Sequence, residues 1–183
     1  TQPLAQTFKI DAIGGVFLTS VNLFFAAKDA AIPVWIEIRN TIAGSPGRQV
    51  LPYSRKILEP SFINLDFEKG DSPTAFIFDS PVYCQEGQEY ALVVLTKSQD
   101  YLLWTAQVGQ TDVLTGGVVN SQPAIGSMYK SSNSSTWTPV QSEDLKFSIQ
   151  RAWFNNTYVA DVTLTNDIVN KDTPISYSDA SDD

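Results

Sequence analysis

Residues 83–106 constrain the fold more than any other part of the chain. A strand-like entry at Tyr83 is followed by the polar turn 85–88, an apolar run at 90–96, a polar reversal at 97–100 and a third apolar run that closes on Trp104. Apolar runs joined by short polar turns are typical of antiparallel strands. The segment therefore predicts β-structure, and it contains no catalytic motif.

The same pattern recurs along the chain, where clusters of Gly, Pro, Asn, Asp and Ser separate short apolar or alternating runs. This pattern is typical of all-β proteins, and about ten runs suit two packed sheets. The predicted strands are 5–10, 16–26, 34–39, 49–57, 62–67, 75–78, 90–96, 101–106, 127–130 and 145–153. We therefore predict an all-β fold, a two-sheet antiparallel β-sandwich, with loops at breaks such as 44–47.

The predicted strand 16–26 is apolar on both faces. One face carries Phe17, Val21, Leu23 and Phe25, and the other carries Leu18 and Phe24 among polar residues. Burying each large apolar side chain gains roughly 1.5–3 kcal/mol. We therefore expect a second layer, a loop or a partner chain to cover the outer residues of this strand.

Aromatic residues beside polar loops are the candidate ligand-binding residues, because flat rings can stack on the apolar faces of sugars. In the run 34–39 alternate residues point inward, which places Trp35 on the outer face. We predict ligand contacts for Trp35, Tyr101 and Tyr129, and we expect Trp35 and Tyr129 to be exposed. The alternative for Trp104 and Trp137, which are also candidates, is that they fill the core.

Length and composition predict one domain with a tail. The 183 residues are 43% hydrophobic and 17% charged, enough for one sizeable core. We assign 1–160 to the sandwich and 161–183 to a final short strand at 162–164 and an acidic linker or tail. A chain that starts at Thr1 and ends in the acidic run 178–183 is expected to be a domain of a longer polypeptide.

Charge and residue usage exclude several function classes. A net charge of -8 with only 12 scattered Lys and Arg disfavours nucleic acid, and no apolar run approaches the roughly 18 residues of a membrane span. Without histidine, and with Cys84 as the single cysteine, the chain has no Ser-His-Asp or Cys-His site and no internal disulfide. We interpret Cys84 as a small, semi-buried residue at a strand end.

Pairs of carboxylates leave two alternatives open. Asp66 and Glu68 share a face of a predicted strand, and Glu143 lies next to Asp144, so either pair could serve glycoside hydrolysis. Asp66, Glu68 and Asp71 could also supply oxygen ligands to calcium. Surface solvation is the simpler interpretation, so we assign no catalytic residue and no cofactor.

The order of several motifs resembles a jelly-roll module similar to carbohydrate-binding and galactose-binding-like domains. The motifs lie within residues 6–154 and are, in order, QTF, GVFLTSV, VWIEIR, GSPG, EGQEYALV, the single residue Trp104, STWT and DLKF. The stretches PLAQTF, GGVFLTSVNLFF and SSTWTPVQSEDLKF most resemble domains of structural proteins from tailed-bacteriophage tails and baseplates.

This resemblance implies a non-enzymatic structural or adhesive module, located in the virion or otherwise extracellular. Its partners would be other virion subunits or the remainder of a larger chain. One alternative is a carbohydrate-binding module that recognises cell-surface glycans. The other is a glycan-cleaving enzyme with paired carboxylates.

Overall fold

The computed structural model describes residues 3–113, 115–118, 126–155 and 157, and in this part the chain is almost entirely β-structure. It has thirteen strands and one 3-10 turn at Pro60–Phe62 in the described residues. The strands are β1 (Leu4–Lys9), β2 (Val16–Ala27), β3 (Val34–Ile42), β4 (Ser45–Val50), β5 (Lys56–Leu58), β6 (Pro73–Cys84), β7 (Glu89–Thr96), β8 (Leu102–Leu103), β9 (Thr105–Gln107), β10 (Met128–Lys130), β11 (Thr138–Val140), β12 (Glu143–Leu145) and β13 (Phe147–Arg151).

Two antiparallel sheets form a sandwich. The large sheet has the order β11-β10-β1-β7-β3-β4, with β5 paired to β3, and the small sheet has the order β13-β2-β6, with β8 paired to β2. A separate ladder joins β9 to β12. β1 pairs with β7 in the large sheet and β2 pairs with β6 in the small sheet, so these two antiparallel pairs are nested along the chain. The predicted all-β sandwich is confirmed.

The main core lies between the sheets. Its largest fully buried side chains include Phe25 and Phe76 from the small sheet and Ile36, Ile38 and Leu92 from the large sheet. The alternation predicted for 34–39 is confirmed on its inner side, since Val34, Ile36 and Ile38 are all fully buried. This core fixes the spacing of the two sheets and the positions of their edges.

The face assignment predicted for strand 16–26 is wrong at its start. The pairing between β2 and β6 shifts register between Leu18 and Ser20, and such an irregularity changes which residues point inward. Leu18 is therefore 1% exposed in the core, whereas Phe17 is 39% exposed on the outer face.

Other predicted boundaries also differ from the structure. Residues 62–67 are not a strand, because the 3-10 turn Pro60–Phe62 is followed only by a single bridge between Phe25 and Leu65. The predicted strand 49–57 is interrupted near Tyr53, which has a positive φ of 63°, a conformation that ends regular pairing.

The remaining differences concern turns and strand lengths. The predicted loop at 44–47 contains the start of β4, 75–78 is part of the longer β6, and β11 had no predicted counterpart. The predicted strand 101–106 breaks at Trp104, which separates β8 from β9, and 145–153 is divided between β12 and β13.

Two compact units divide the chain, Thr1–Ala152 and Trp153–Asp183. The first unit contains all the strands named above. The predicted tail 161–183, with its strand at 162–164, lies outside the described residues.

Candidate functional site

Tyr129 lies on the outer face of the large sheet, but it is buried there, so its predicted exposure is wrong. It packs in a second hydrophobic cluster with Ala5, Ala91, Val93 and Leu95. Its hydroxyl donates a hydrogen bond to the backbone oxygen of Gly44 at 2.8 Å. The ring and the hydroxyl of Tyr129 are thus both engaged by the fold.

Trp35 lies on the predicted outer face and is half-buried against the same cluster. The Arg55 guanidinium carbon stands 5.5 Å from the centre of its ring. Beside it, the buried Arg39 binds Glu37 at 2.6 Å and donates to the backbone oxygen of Ser134 at 3.1 Å. The 134 region and Arg55 therefore help to cover this face of the large sheet.

Tyr101 is half-buried on the other side of that sheet, where it meets Phe25 edge to face with ring centres 5.9 Å apart. Its hydroxyl donates to the backbone oxygen of Ile32 at 2.6 Å, and burial raises its pKa. It borders a cavity of about 580 Å³ that also includes Lys130 and Glu143. The fold does not bring Tyr101 together with Trp35 and Tyr129, and ligand binding by these three residues stays a prediction.

Trp104 and Trp137 are both half-buried and differ in their surroundings. The Trp104 indole N–H donates to the backbone oxygen of Asp66 at 2.7 Å, and the ring lies against Gly70. Trp137 packs on the second cluster, and its buried indole N–H finds no acceptor in the described part of the chain. Trp104 thus pins the 66–70 loop to the sandwich.

The carboxylate of Asp66 organises its own loop. It accepts backbone hydrogen bonds from Glu68 at 3.1 Å, Lys69 at 3.0 Å and Asp71 at 3.1 Å. The side chains of Asp66 and Asp71 also share a hydrogen bond. This bond, together with the backbone donors, lowers the pKa of Asp66, and the same bond raises the pKa of Asp71.

This geometry overturns the strand face predicted for Asp66 and Glu68, because both residues lie in a loop. Over the described ranges of the chain, no group of three Asp, Glu, Cys or His side chains is placed to hold a metal ion. Asp66, Glu68 and Asp71 are therefore not arranged as the calcium site considered from the sequence.

Glu143 and Asp144 are neighbours on β12, so their side chains leave opposite faces of the strand. Glu143 forms an ion pair with Lys130 at 3.3 Å. Asp144 is fully buried and accepts a hydrogen bond from Gln6 at 3.1 Å. The two carboxylates do not face each other across a cleft.

A row of exposed and mostly apolar side chains follows the outer face of β6. We call it the β6 outer row, and it consists of Pro73, Ala75, Ile77, Asp79, Pro81 and Tyr83. Ile77 is 61% exposed and Tyr83 is 48% exposed. The only charged member, Asp79, is paired with Lys56, so the row presents little net charge to solvent.

Sequence reasoning missed this row because the predicted strand ended at 78, ahead of Pro81. Alternation continues through Val82 and Cys84, which are buried, while Pro81 and Tyr83 are exposed. Since β6 is an edge strand of the small sheet, a proline at position 81 is tolerated. Alternation across the whole of 73–84 was the signal that could have revealed the row.

An edge cavity of about 1000 Å³ opens beside β1 and β13. Its apolar floor includes Phe8, Leu18, Leu145, Phe147 and Ile149, and its rim carries Lys9, Asp11, Lys69, Asp112, Lys146 and Arg151. Trp104 and the polar residues Gln107 and Gln110 also line it. The Lys146 ammonium lies over the Phe24 ring, which leaves the rim three cations, Lys9, Lys69 and Arg151, against the two acids Asp11 and Asp112 in a chain with a net charge of -8.

Comparisons of the chain with models of protein families, with curated proteins and with solved structures give no match. The described ranges of the chain contain no helix that is long and apolar enough to cross a membrane.

Proposed function

We propose that this chain is a non-catalytic structural or adhesive module of a tailed-bacteriophage tail or baseplate protein, and that the β6 outer row is its contact surface. The exposed, nearly uncharged row on β6 carries this proposal. Contiguous apolar surface on a soluble domain marks sites of protein interaction. The resemblance of the sequence to phage structural modules supplies the biological setting.

Packing through side chains suits this surface better than the addition of a strand. The β2–β6 register shifts between Leu18 and Ser20, and such irregularities, together with Pro81, protect a sheet edge from continuous pairing. We infer that Ile77 and Tyr83 contact a second copy of the chain around a twofold axis, since identical faces are self-complementary in that arrangement.

Solution mass tests this contact. Light scattering across a concentration series should show self-association of the wild-type chain, and Ile77→Lys should abolish it by placing a charge in the row. Ile42→Lys is the matched control, because Ile42 is 64% exposed on the large sheet. A wild-type chain that stays monomeric, or equal effects of the two variants, would count against the contact.

The virion setting needs a separate test. Antibodies raised against the chain should label tails or baseplates of purified particles in electron micrographs, on phages whose genomes encode it. Labelling of capsids only, or of no particles, would contradict the tail or baseplate assignment while leaving the contact through β6 intact.

Carbohydrate binding is the second candidate, favoured by the exposed ring of Tyr83. This ring packs against Phe17 with centres 5.1 Å apart, at the end of the β6 outer row. An exposed aromatic ring of this kind can stack on a sugar face. A glycan array would support this candidate if wild type bound a defined glycan and Tyr83→Ser did not, and the absence of any binding would remove it.

A further inference from the structure

β13 presents an amphipathic row to the edge cavity. Phe147 pairs with Leu23, Ile149 with Val21 and Arg151 with Leu18, and residues that pair across antiparallel strands share a face. Since Leu18, Val21 and Leu23 are buried in the core, the row Phe147, Ile149 and Arg151 lies on the core-facing side of the small sheet. It is an apolar wall that ends in a guanidinium group.

The apolar part of this wall is incompletely covered by protein. Phe147 and Ile149 are only half-buried, although they pack against the main core, and both line the edge cavity. At roughly 3.3 Å per residue, the distance from Phe147 to Arg151 is about 13 Å. This is the dimension of a medium-length alkyl chain.

The charge at the end of the wall indicates which chemical group the ligand should carry there. Lys9 is paired with Asp11 at 3.3 Å, and the Lys146 ammonium stands 4.7 Å from the centre of the Phe24 ring. Arg151 is exposed and makes no ion pair within the described part of the chain. A guanidinium group matches the planar geometry of a carboxylate.

We propose that the edge cavity binds a medium-chain fatty acid or a closely similar alkyl carboxylate. Its chain lies along Phe147 and Ile149 between the sheets, and its carboxylate meets Arg151 at the rim. This site is on the inner side of the small sheet, whereas the β6 outer row is on the outer side. The proposal therefore does not depend on the proposed function.

Calorimetric titration of the full chain with decanoate tests the proposal. Saturable binding of one decanoate per chain is expected. Arg151→Gln should weaken it about threefold to tenfold, as befits a partly exposed charged contact. Arg48→Gln, which changes an exposed arginine of the large sheet, should leave the affinity for decanoate unchanged.

A neutral ligand tests the apolar wall separately from the guanidinium group of Arg151. 1-Decanol should bind the wild type and Arg151→Gln equally, because it retains the alkyl chain and lacks the carboxylate. Amide shifts in NMR spectra should concentrate at 145–151 and 104–107 on addition of decanoate. The proposal is overturned by the absence of saturable binding, by equal effects of Arg151→Gln and Arg48→Gln, or by shifts confined to other surfaces.

Discussion

Gln6 and Asp144 form a fully buried hydrogen-bonded pair between β1 and β12, with 3.1 Å between the Gln6 Nε2 and Asp144 Oδ1 atoms. The same Gln6 amide accepts a hydrogen bond from the backbone N–H of Leu145 at 2.9 Å. One side chain therefore bonds one oxygen of a carboxylate and a backbone donor in the interior. It attaches the β9–β12 ladder to the large sheet.

Replacing Gln6 with Leu should destabilise the fold by about 1–3 kcal/mol, because the Leu145 N–H and the Asp144 carboxylate each lose a buried partner. Urea unfolding would measure the change. Gln150→Leu, at an exposed position on β13, is the control and should change the free energy of unfolding little. Equal stability of the wild type and Gln6→Leu would refute the role given to the pair.

Gly70 should not tolerate a side chain. It has a φ of +63°, and a Cβ at this position would stand 2.6 Å from the Trp104 ring. Gly70→Ala should cost about 1–3 kcal/mol through backbone strain and displacement of the ring. Gly87→Ala is the matched control, since Gly87 has a φ of +74° and open space around it. Equal losses of stability in the two variants would show that contact with Trp104 is unimportant.

Cys84 should be chemically inert in the folded chain. It is fully buried, more deeply than the half-burial predicted from the sequence, and burial raises the pKa of its thiol to about 12. Reaction with a disulfide reagent near pH 8 should be about a hundredfold or more slower in the folded chain than in urea, because the thiolate is the reactive form. Equal rates under the two conditions would contradict this burial.

Asp29 should contribute a pH-dependent part of the stability. Hydrogen bonds from the Ser98 hydroxyl, and then from the backbone N–H groups of Ala31 and Ile32, lower its pKa below the ordinary value of 3.8. Asp29 therefore binds its proton more tightly in the unfolded chain than in the folded chain. The contribution is complete above about pH 4 and is lost as the pH falls through the folded-state pKa.

Asp29→Asn should therefore lower the urea midpoint near pH 7, and its difference from the wild type should shrink below about pH 4. Asp100→Asn, at a nearby exposed position, should show no comparable trend. A difference for Asp29→Asn that is constant across this range would contradict the role of the ionised carboxylate.

Local patterns predicted much of the sandwich. Alternation identified the inner side of β3, and the apolar run at 90–96 closely matches β7 at Glu89–Thr96. Alternation failed where one residue changed the register, as at Leu18, and where the backbone of Tyr53 adopts a positive φ. Neither event leaves a clear mark in the residue types themselves.

The candidate sites were harder to predict because they depend on contacts between distant segments. Tyr129 is polar enough for a surface, but its burial depends on packing against Ala5 of β1 and Ala91 of β7. Arg151 lies beside the cavity because β13 pairs with β2. The alternation of Phe147, Ile149 and Arg151 was a usable signal, and it was hidden within a longer predicted strand.

Cross-linking through position 77 tests the contact surface most directly. Ile77→Cys can be made in the natural background, because buried Cys84 should not react, and Ile42→Cys provides an exposed control on the large sheet. With a short bis-maleimide, we expect covalent dimers from Ile77→Cys at several times the yield from Ile42→Cys. Equal yields from the two variants, or no dimer from Ile77→Cys, would contradict assembly through the β6 outer row.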